Sequence, residues 1–198
     1  WKPYADKVSD VEAVFFGMIA NIDENVGAMR DWLEAEGLAE NTLFIFMTDN
    51  GTANGHKVYP ADMRGNKGSA YEGGHRVPCF IHWPEGNLGE PRDITGLTEV
   101  QDILPTLIDV CGLEVPTGPS LDGISLADVL RDEEPVPPNR TLAVNYSRMP
   151  RFDYPMPDSR SVIRREGTAV LWKRWRLLEA VALYDLDNDP AQEHNVID

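Results

Sequence analysis

The chain has 198 residues, of which 42% are hydrophobic and 26% are charged. This is ordinary globular composition, and the length suits one domain or one domain with a small appendage. With 33 acidic and 18 basic residues, the formal net charge is −15. That charge repels nucleic acid and anionic membrane surfaces, and no apolar run reaches the ~18 residues of a membrane span. Neither partner is expected, and an anion site here needs a local excess of positive charge.

A long amphipathic helix is predicted over residues 10–36. Ser9 and Glu12 have the spacing of a capping box, and Gly37 suits the end of the helix. Apolar residues recur at the i, i+3, i+4 spacing of one buried stripe. The stripe consists of Val11, Val14, Phe15, Met18, Ile19, Ile22, Val26, Met29 and Leu33.

The run 42–48 is continuously apolar and has the length of a strand. Such a run without alternation predicts a strand covered on both faces, as in a parallel α/β sheet. Pro105 lies inside the next helical pattern, so a kink or a late helix start is expected there. The other elements predicted in this part are a strand at 77–83, a turn at 83–86, and helices at 98–110 and 125–130.

A small antiparallel sheet is predicted in the last third of the chain. The acidic, proline-rich stretch 132–139 is the predicted linker before it. Short runs rich in β-branched and aromatic residues then predict strands. These runs are 142–146, 161–166, 169–172 and 175–178. The sequence thus predicts two parts, 1–138 and 139–198.

Two residues with oxygen-bearing side chains, Asp49 and Asn50, directly follow the predicted strand 42–48. Such oxygens suit Ca²⁺ or Mg²⁺, and ligands in open α/β sheets bind at the carboxyl ends of strands. Gly51 lets the strand break, so that both side chains can reach one ion. From these residues alone a plain Asx turn is the favoured alternative, because two ligands do not make a site.

A glycine-rich loop at 65–78 carries Lys67. Glycines let the backbone approach an anion closely, and the ammonium can hold a sulfuryl or phosphoryl oxygen. Taken alone, such a loop is more simply a surface turn.

For the other polar residues near the loop, a structural role is the first interpretation. Arg64 and Arg76 are expected to form ion pairs that hold the loop. Their acidic candidates are Asp62 and Glu72. His56 is more simply a hydrogen-bonded loop residue, although it is near enough in sequence to the predicted metal ligands to contact a substrate.

Two further groups of potential ligands are predicted to be structural. Cys79 and Cys111 stand in apolar surroundings without CxxC spacing, which predicts buried thiols and neither a disulfide nor a metal pair. Three aspartates lie within 185–189, but the spacing lacks the glycine and the distal glutamate of an EF-hand loop. A turn that ends a strand is the better interpretation.

Four segments stand in a specific order and spacing. They are Asn21–Gly27, Asn41 and Thr42 leading into Thr48–Gly51, Gly65–Pro78, and Leu183–Leu186 with Asp189 and Pro190. Together they resemble the C-terminal half of a type I sulfatase, of the arylsulfatase family in the alkaline phosphatase superfamily. This resemblance implies an α/β fold with an alkaline-phosphatase-like sheet sandwiched by helices, only partly present, followed by a small C-terminal antiparallel sheet subdomain.

The resemblance also implies roles for individual residues. Asp49 and Asn50 would complete a Ca²⁺ site, with Mg²⁺ as the alternative ion, and Lys67 would be a catalytic residue that binds the sulfate group. His56 is a further expected substrate contact. The implied reaction is hydrolysis of sulfate esters in small molecules or carbohydrates, in a periplasmic or secreted protein. In the two-part division, 1–138 is then the C-terminal part of the catalytic domain and 139–198 the small subdomain.

The departure from the family concerns the nucleophile. Sulfatases of this kind use a formylglycine made from the first residue of a Cys/Ser-x-Pro-x-Arg motif, and these 198 residues contain no such motif. The paired aspartates that supply the other metal ligands are also absent. We expect both upstream of Trp1, and we expect the 198 residues alone to be inactive. A phosphodiesterase or phosphonate hydrolase of the same superfamily, and a non-catalytic anion-binding module, are the alternatives.

Overall fold

The computed structural model describes residues 1–115, 118, 120–146 and 165–197. Its helices and strands in chain order are α1 Asp10–Ala35, β1 Phe44–Met47, α2 Glu72–His75, β2 Cys79–His82, α3 Ile103–Val110, α4 Ala127–Leu130, β3 Thr141–Asn145, β4 Thr168–Trp172, β5 Trp175–Leu178 and β6 Ala182–Asp185. Short 3₁₀ helices lie at Lys2–Tyr4, Gly55–Lys57, Pro84–Gly86 and Val100–Asp102. Over these ranges, no helix combines the length and the apolar character needed to cross a bilayer.

Helix α1 begins at the predicted capping box. The Glu12 N–H donates to Ser9 Oγ at 3.4 Å, and the Ser9 N–H donates to the Glu12 carboxylate at 3.1 Å. Gly37 lies just beyond the helix end with φ +69°, in the left-handed region that glycine adopts without strain. The predicted helix is confirmed, with ends set by these local interactions.

The apolar stripe of α1 is largely exposed, so the prediction of burial is wrong for the described residues. Val11 and Met18 are 63% and 61% exposed, and within α1 only Ala13 is buried. The reason is that the described part of the chain covers only part of the helix. Lys2–Tyr4 and Gly55–Lys57 contact it, with the Tyr4 ring packed against the Phe16 ring.

Strands β1 and β2 pair antiparallel, whereas a parallel neighbour was expected for the strand at 42–48. Met47 lies opposite Cys79. The connection 48–78 leaves one end of β1 and returns to the same end, so β2 runs back along β1. The whole connection, with Asp49, Asn50 and Lys67 in it, therefore lies at the carboxyl end of β1.

This strand pair lies between helices. On one face Phe44 and Leu33 of α1 line a common cavity. On the other face Ile45 and Ile81 line a cavity with Leu107 of α3. The predicted α/β class with helices on both faces is confirmed, although β1 is only half-buried because the described helices cover it incompletely.

Both cysteines are exposed, so the prediction of buried thiols is wrong. Cys79 is the first residue of β2, and the described residues cover this strand incompletely. The next residue, Phe80, is 65% exposed. Cys111 directly follows the end of α3. Both are free thiols in this structure.

Strands β3, β4, β5 and β6 form a four-stranded antiparallel sheet in chain order, which confirms the small sheet expected after the linker. Its core comprises Leu142, Ala169, Leu171, Leu178 and Tyr184, together with Ala70 from the glycine-rich loop. Of the strand predicted at 161–166, residues 161–164 lie outside the described residues, and 165–166 lead into a turn. The boundary between 138 and 139 stays a prediction.

A buried ion pair fixes the start of α3. Both carboxylate oxygens of Asp102, which is 0% exposed, accept hydrogen bonds of 2.6 Å from the Arg140 guanidinium. The N–H groups of Glu99 and Ile124 donate to the same carboxylate at 2.8 and 3.0 Å. Burial raises the pKa of Asp102, but the hydrogen bonds from Arg140 and the two amides outweigh it and leave the pKa below its ordinary value. Because α3 begins only at Ile103, the late start expected near Pro105 is confirmed.

We expect Asp102→Asn to lower the free energy of unfolding by about 3 kcal/mol, because it removes the fully buried charge that holds the Arg140 guanidinium and leaves only the partly exposed Glu99, at 2.9 Å, as its charged partner. The folded-state pKa lies below the ordinary 3.8, so the stability carried by Asp102 is present above that pH and is lost as the pH falls below it. The variant should therefore lose less stability on acidification to about pH 3. Thermal unfolding of both proteins between neutral pH and about pH 3 measures the loss of stability and its dependence on pH.

Asp128→Asn is the control, because Asp128 forms an exposed ion pair of 3.7 Å with Arg131. This substitution should change the free energy of unfolding by less than about 0.5 kcal/mol. Identical acid sensitivity in Asp102→Asn and the unmodified protein would contradict the assigned pKa direction.

Candidate functional site

The end of β1 and the glycine-rich loop meet backbone to backbone. The Gly51 N–H donates to the Gly74 carbonyl at 2.9 Å, and the Lys67 N–H donates to the Thr52 carbonyl at 3.0 Å. The segment that carries Asp49 and the segment that carries Lys67 are therefore adjacent in space. We call this meeting of 51–52 with 67 and 73–74 the backbone crossing.

Glycine is required at the backbone crossing because no side chain fits there. A Cβ on Gly51 would lie 1.8 Å from the Gly73 carbonyl oxygen. A Cβ on Gly74 would lie 2.1 Å from the Ser69 carbonyl oxygen, and one on Gly73 2.6 Å from the carbonyl oxygen of Gly65. These distances are far inside van der Waals contact with backbone atoms, which cannot move aside as a flexible side chain would.

Lys67 is presented by a tight turn between two glycines in the left-handed region. Gly65 has φ +87° and Gly68 has φ +86°. The Asn66 N–H donates to Ser69 Oγ at 3.1 Å and the Ser69 N–H donates back to the Asn66 carbonyl at 3.0 Å. Lys67 is exposed, and no carboxylate of the described residues forms a salt bridge with its ammonium. Its charge is available for an anion.

The chain bends at Asp49 and Asn50, directly after β1. Thr48 Oγ1 donates to the Asn50 carbonyl at 3.3 Å, but over the described ranges neither the Asp49 nor the Asn50 side chain forms a hydrogen bond. An Asx turn would occupy the Asp49 oxygens, so their freedom leaves them available to a hard cation.

The two side chains fit Ca²⁺ by their chemistry but do not complete a site. Ca²⁺ takes six to eight oxygen ligands, and an ion held by Asp49 and Asn50 needs more. The part of the chain that the structure describes contains no group of three or more His, Cys, Asp and Glu side chains placed to hold a metal. Metal binding by Asp49 and Asn50 therefore stays a prediction.

The two histidines near the loop differ in environment. His56 lies on the 3₁₀ helix Gly55–Lys57, and its Nδ1 is buried without a hydrogen-bond partner among the described residues. No hydrogen bond or ion pair among the described residues joins it to Lys67, and its role as a substrate contact stays a prediction. The His75 Nε2 lies 3.2 Å from the Ala70 carbonyl, and burial lowers the pKa of His75. We assign His75 a structural role in its neutral form.

Glu72 is the buried centre of the loop's ion pairs. The expected pair with Arg76 is present at 3.7 Å, but the Arg76 side chain is 67% exposed. The closer partner is Arg176 of β5, whose Nε donates to Glu72 Oε1 at 2.6 Å with both side chains buried. The sequence reasoning missed Arg176. A signal existed, because Arg176 and Leu178 share one face of β5, and an arginine on an apolar face needs a partner.

Arg64 pairs with neither Glu72 nor Asp62, which corrects the expectation for it. Its Nη1 donates to the Gln192 carbonyl at 2.7 Å, and its guanidinium lies 4.2 Å from the centre of the Tyr71 ring. The guanidinium is thus held by a backbone acceptor and an aromatic face, a partnership that spacing in the sequence does not reveal.

Tyr146 brings the C-terminal sheet to the backbone crossing. Its hydroxyl donates to the Gly74 carbonyl, the same oxygen that accepts the Gly51 N–H. Burial raises the pKa of Tyr146, and the negative charge of Asp49 raises it further. No pattern in the sequence pointed to this residue.

The aspartates at 185–189 form a turn. The N–H groups of Asn188 and Asp189 donate to the Asp185 carbonyl at 3.1 and 2.7 Å. Arg174 forms ion pairs with Asp185 at 3.1 Å and with Asp187 at 3.7 Å. The predicted turn at the end of a strand is confirmed.

The fold and the backbone crossing define an α/β protein of the alkaline-phosphatase-like class. The family model Sulfatase matches residues 3–113, and the family model for the C-terminal part of N-sulphoglucosamine sulphohydrolase matches residues 64–198. The chain belongs to the sulfatase family.

Individual relatives agree with this assignment. The chain is 31% identical over 195 residues to an arylsulfatase of Clostridium perfringens, a match that covers 94% of this chain and 36% of that protein. Its fold is similar to the crystal structure of Ps i-CgsB in complex with k-i-k-neocarrahexaose, with a TM-score of 0.80, 22% identity, and coverage of 98% of this chain and 41% of that one.

A phosphonate monoester hydrolase of Agrobacterium radiobacter is also similar, with a TM-score of 0.66 and 26% identity. The match covers 94% of this chain and 37% of that one. The chain thus spans 36 to 41% of the length of these three proteins.

We expect Gly51→Ala to lower the free energy of unfolding by at least about 3 kcal/mol, because the new methyl group has to displace the backbone at Gly73. Gly27→Ala is the matched control, since a Cβ at Gly27 meets nothing within 4 Å and the residue lies inside α1. That control should gain about 0.5 to 1 kcal/mol from helix propensity. Chemical denaturation measures both, and a mild effect at Gly51 would contradict the close approach.

Proposed function

We propose that a complete polypeptide containing this chain hydrolyses sulfate esters, with Lys67 binding the sulfate group and Asp49 and Asn50 binding a metal ion. The observation that carries the proposal is the backbone crossing, which joins the segment of Lys67 to the end of β1 through Gly51. Membership of the sulfatase family supports the reaction class.

Charge explains why such a site needs Lys67. A sulfate ester is an anion, and the chain's net charge of −15 repels it. An ammonium on a tight turn, with no carboxylate partner among the described residues, makes the potential locally less negative. Because the turn is fixed by its own hydrogen bonds, the backbone that carries Lys67 is in place before substrate arrives, and only the side chain has to adjust when negative charge develops on the ester oxygens.

Asp49 and Asn50 supply oxygen ligands of the kind that Ca²⁺ prefers, with Mg²⁺ as the alternative. A bound divalent ion supplies a positive charge that polarises a sulfate oxygen. The Asp49 carboxylate would bind it without giving up a hydrogen bond to the described residues. The formylglycine nucleophile that the family resemblance implies lies outside this chain, so the chain's own contribution is to orient the ester and neutralise its charge.

The alternative substrate class is phosphonate or phosphate esters, which the likeness to a phosphonate monoester hydrolase at 26% identity favours. Both ester types present anionic oxygens to the same metal and ammonium. The kcat/KM values of the complete protein on an aryl sulfate and on an aryl phosphonate monoester, at equal metal concentration, separate them. Higher kcat/KM on the sulfate supports the proposal. If the protein binds sulfate but turns over neither ester, the result supports the remaining alternative, a non-catalytic anion-binding module.

We expect Lys67→Ala in the complete protein to lower kcat for an aryl sulfate by about 10²- to 10³-fold, because one donor to the developing charge is lost. Lys57→Ala is the matched control, an exposed lysine on the neighbouring 3₁₀ helix, and should change kcat less than about 2-fold. Steady-state hydrolysis measures both. Near-normal turnover by Lys67→Ala would contradict its assignment.

We expect activity to disappear on treatment with a chelator and to return with Ca²⁺. Asp49→Ala should weaken Ca²⁺ binding at least about 10-fold, because a charged oxygen ligand is removed. Asp187→Ala, which changes an exposed aspartate in the turn after β6, is the control and should bind as the unmodified protein does. Calorimetric titration of the complete protein measures the affinities, and equal affinity for both variants would contradict the metal assignment.

A further inference from the structure

We propose that Gln192 and Tyr146 are positioning residues that hold helix α2 from its two ends and thereby fix the backbone crossing. Both residues belong to the C-terminal part of the chain, and among the described residues neither forms a hydrogen bond with Lys67. Through α2 they would set where the Lys67 turn stands relative to the end of β1. The part of this inference that concerns catalysis rests on the proposed function.

Gln192 supplies the cap that α2 lacks locally. The first residue of α2 is Glu72, and the residue before it, Tyr71, makes no capping hydrogen bond with its side chain. Gln192 Oε1 accepts the Glu72 N–H at 2.9 Å. A side chain 120 residues away in the sequence thus does the work of an N-cap.

The strained backbone of Gln192 indicates that the surrounding structure holds this residue in place for its hydrogen bond to Glu72. Gln192 has φ +53°, in the left-handed region that side chains other than those of glycine rarely adopt, and it is 0% exposed. Its Nε2 is buried without a hydrogen-bond partner among the described residues. A strained backbone and a half-satisfied buried amide persist only where the surrounding contacts over-determine them, and such strain concentrates at functional sites.

The surrounding contacts are those of Glu72 and Arg64. The Arg176 Nε donates to the Glu72 carboxylate at 2.6 Å, which fixes the first residue of α2 against β5. The Arg64 Nη1 donates to the Gln192 carbonyl at 2.7 Å, and the Arg64 carbonyl accepts the Gly73 N–H at 2.8 Å. Gln192 is therefore connected to the glycine-rich loop through two independent paths.

Tyr146 acts at the other end of the short helix. Its hydroxyl donates to the Gly74 carbonyl, beside the Gly51 N–H that donates to the same oxygen. The Gly74 carbonyl thus accepts hydrogen bonds from Gly51, in the segment after β1, and from Tyr146, the residue after β3. With Gln192 fixing Glu72 and Tyr146 fixing Gly74, two residues of the C-terminal part of the chain determine both ends of the segment that meets Gly51.

The test uses Gln192→Met and Tyr146→Phe, two changes that keep side-chain volume and remove one hydrogen bond each. Thr106→Val is the matched control, because the buried Thr106 hydroxyl donates to the Asp102 carbonyl at 2.6 Å and accepts the Leu126 N–H at 2.9 Å, in the α3–α4 region. It removes buried hydrogen bonds without touching α2. All variants are made in the complete protein.

Amide hydrogen exchange gives the first readout. We expect both variants to accelerate exchange at Gly51 and in 64–74 at least about 10-fold relative to Thr106→Val, since local opening there becomes easier. The second readout is catalysis per folded molecule, where kcat on an aryl sulfate should fall about 10- to 100-fold with a much smaller change in KM, because a small misplacement of a charge-stabilising group acts mainly on the transition state.

Unchanged exchange at Gly51 and 64–74 in both variants overturns the proposal, whatever happens to activity. Accelerated exchange with kcat equal to that of Thr106→Val also overturns it, because the contacts would then be structural only. If the unmodified complete protein cleaves no sulfate ester but turns over a phosphonate ester, the proposed function fails, and the same comparison on that ester decides the role of Gln192 and Tyr146. If it cleaves neither ester, the proposed function fails together with the catalytic part of this inference, and the exchange readout alone decides whether Gln192 and Tyr146 fix the backbone crossing.

Discussion

The contact on which the rest of the structure depends is the hydrogen bond from the Gly51 N–H to the Gly74 carbonyl. It forms only because three glycines let two backbones touch where a single Cβ would collide with carbonyl oxygens. Its consequence is that the end of β1, with the side chains of Asp49 and Asn50, and the turn that carries Lys67 share one corner of the fold. None of these three side chains has a hydrogen-bond or ion-pair partner in the part of the chain that the structure describes. The chemistry proposed for the chain requires both the strand end and the turn at that corner.

A buried polar network holds this corner. Glu72 and Arg176 form an ion pair of 2.6 Å with both side chains almost fully inaccessible to solvent. Burial of two charges contributes little net stability, because desolvation offsets much of their attraction, but it penalises every arrangement in which they separate. The pair is therefore suited to fix one relative position of the glycine-rich loop and the C-terminal sheet. The packing of Ala70 within the core of that sheet acts in the same direction.

Local signals in the sequence predicted most elements, because helix caps and strand patterns depend on near neighbours. The capping box at Ser9 and the antiparallel strands after 139 are of this kind. The failures concern what packs against an element. The direction of the strand paired with β1, the burial of the α1 stripe and the burial of Cys79 all depend on distant parts of the chain, which periodicity does not encode.

The residues of the candidate site also divide into those that the sequence could identify and those that depend on distant parts of the chain. Asp49, Asn50 and Lys67 could be proposed because their residue types and order resemble a known family. The alternation in β5 signalled that Arg176 needs a partner but not that the partner is Glu72, which lies 104 residues away. Gln192 lies 120 residues from Glu72, and no local pattern links the two. Tyr146 is 72 residues from Gly74 and escaped notice for the same reason.

The central claim is that a divalent cation and an anionic ester meet at the end of β1. A crystal structure of the complete protein soaked with Ca²⁺ and sulfate tests it most directly. The account predicts a calcium ion ligated by the side-chain oxygens of Asp49 and Asn50, with a sulfate oxygen within hydrogen-bond distance of Lys67 Nζ. Calcium bound elsewhere, with Lys67 facing bulk solvent and no anion beside it, would contradict the account.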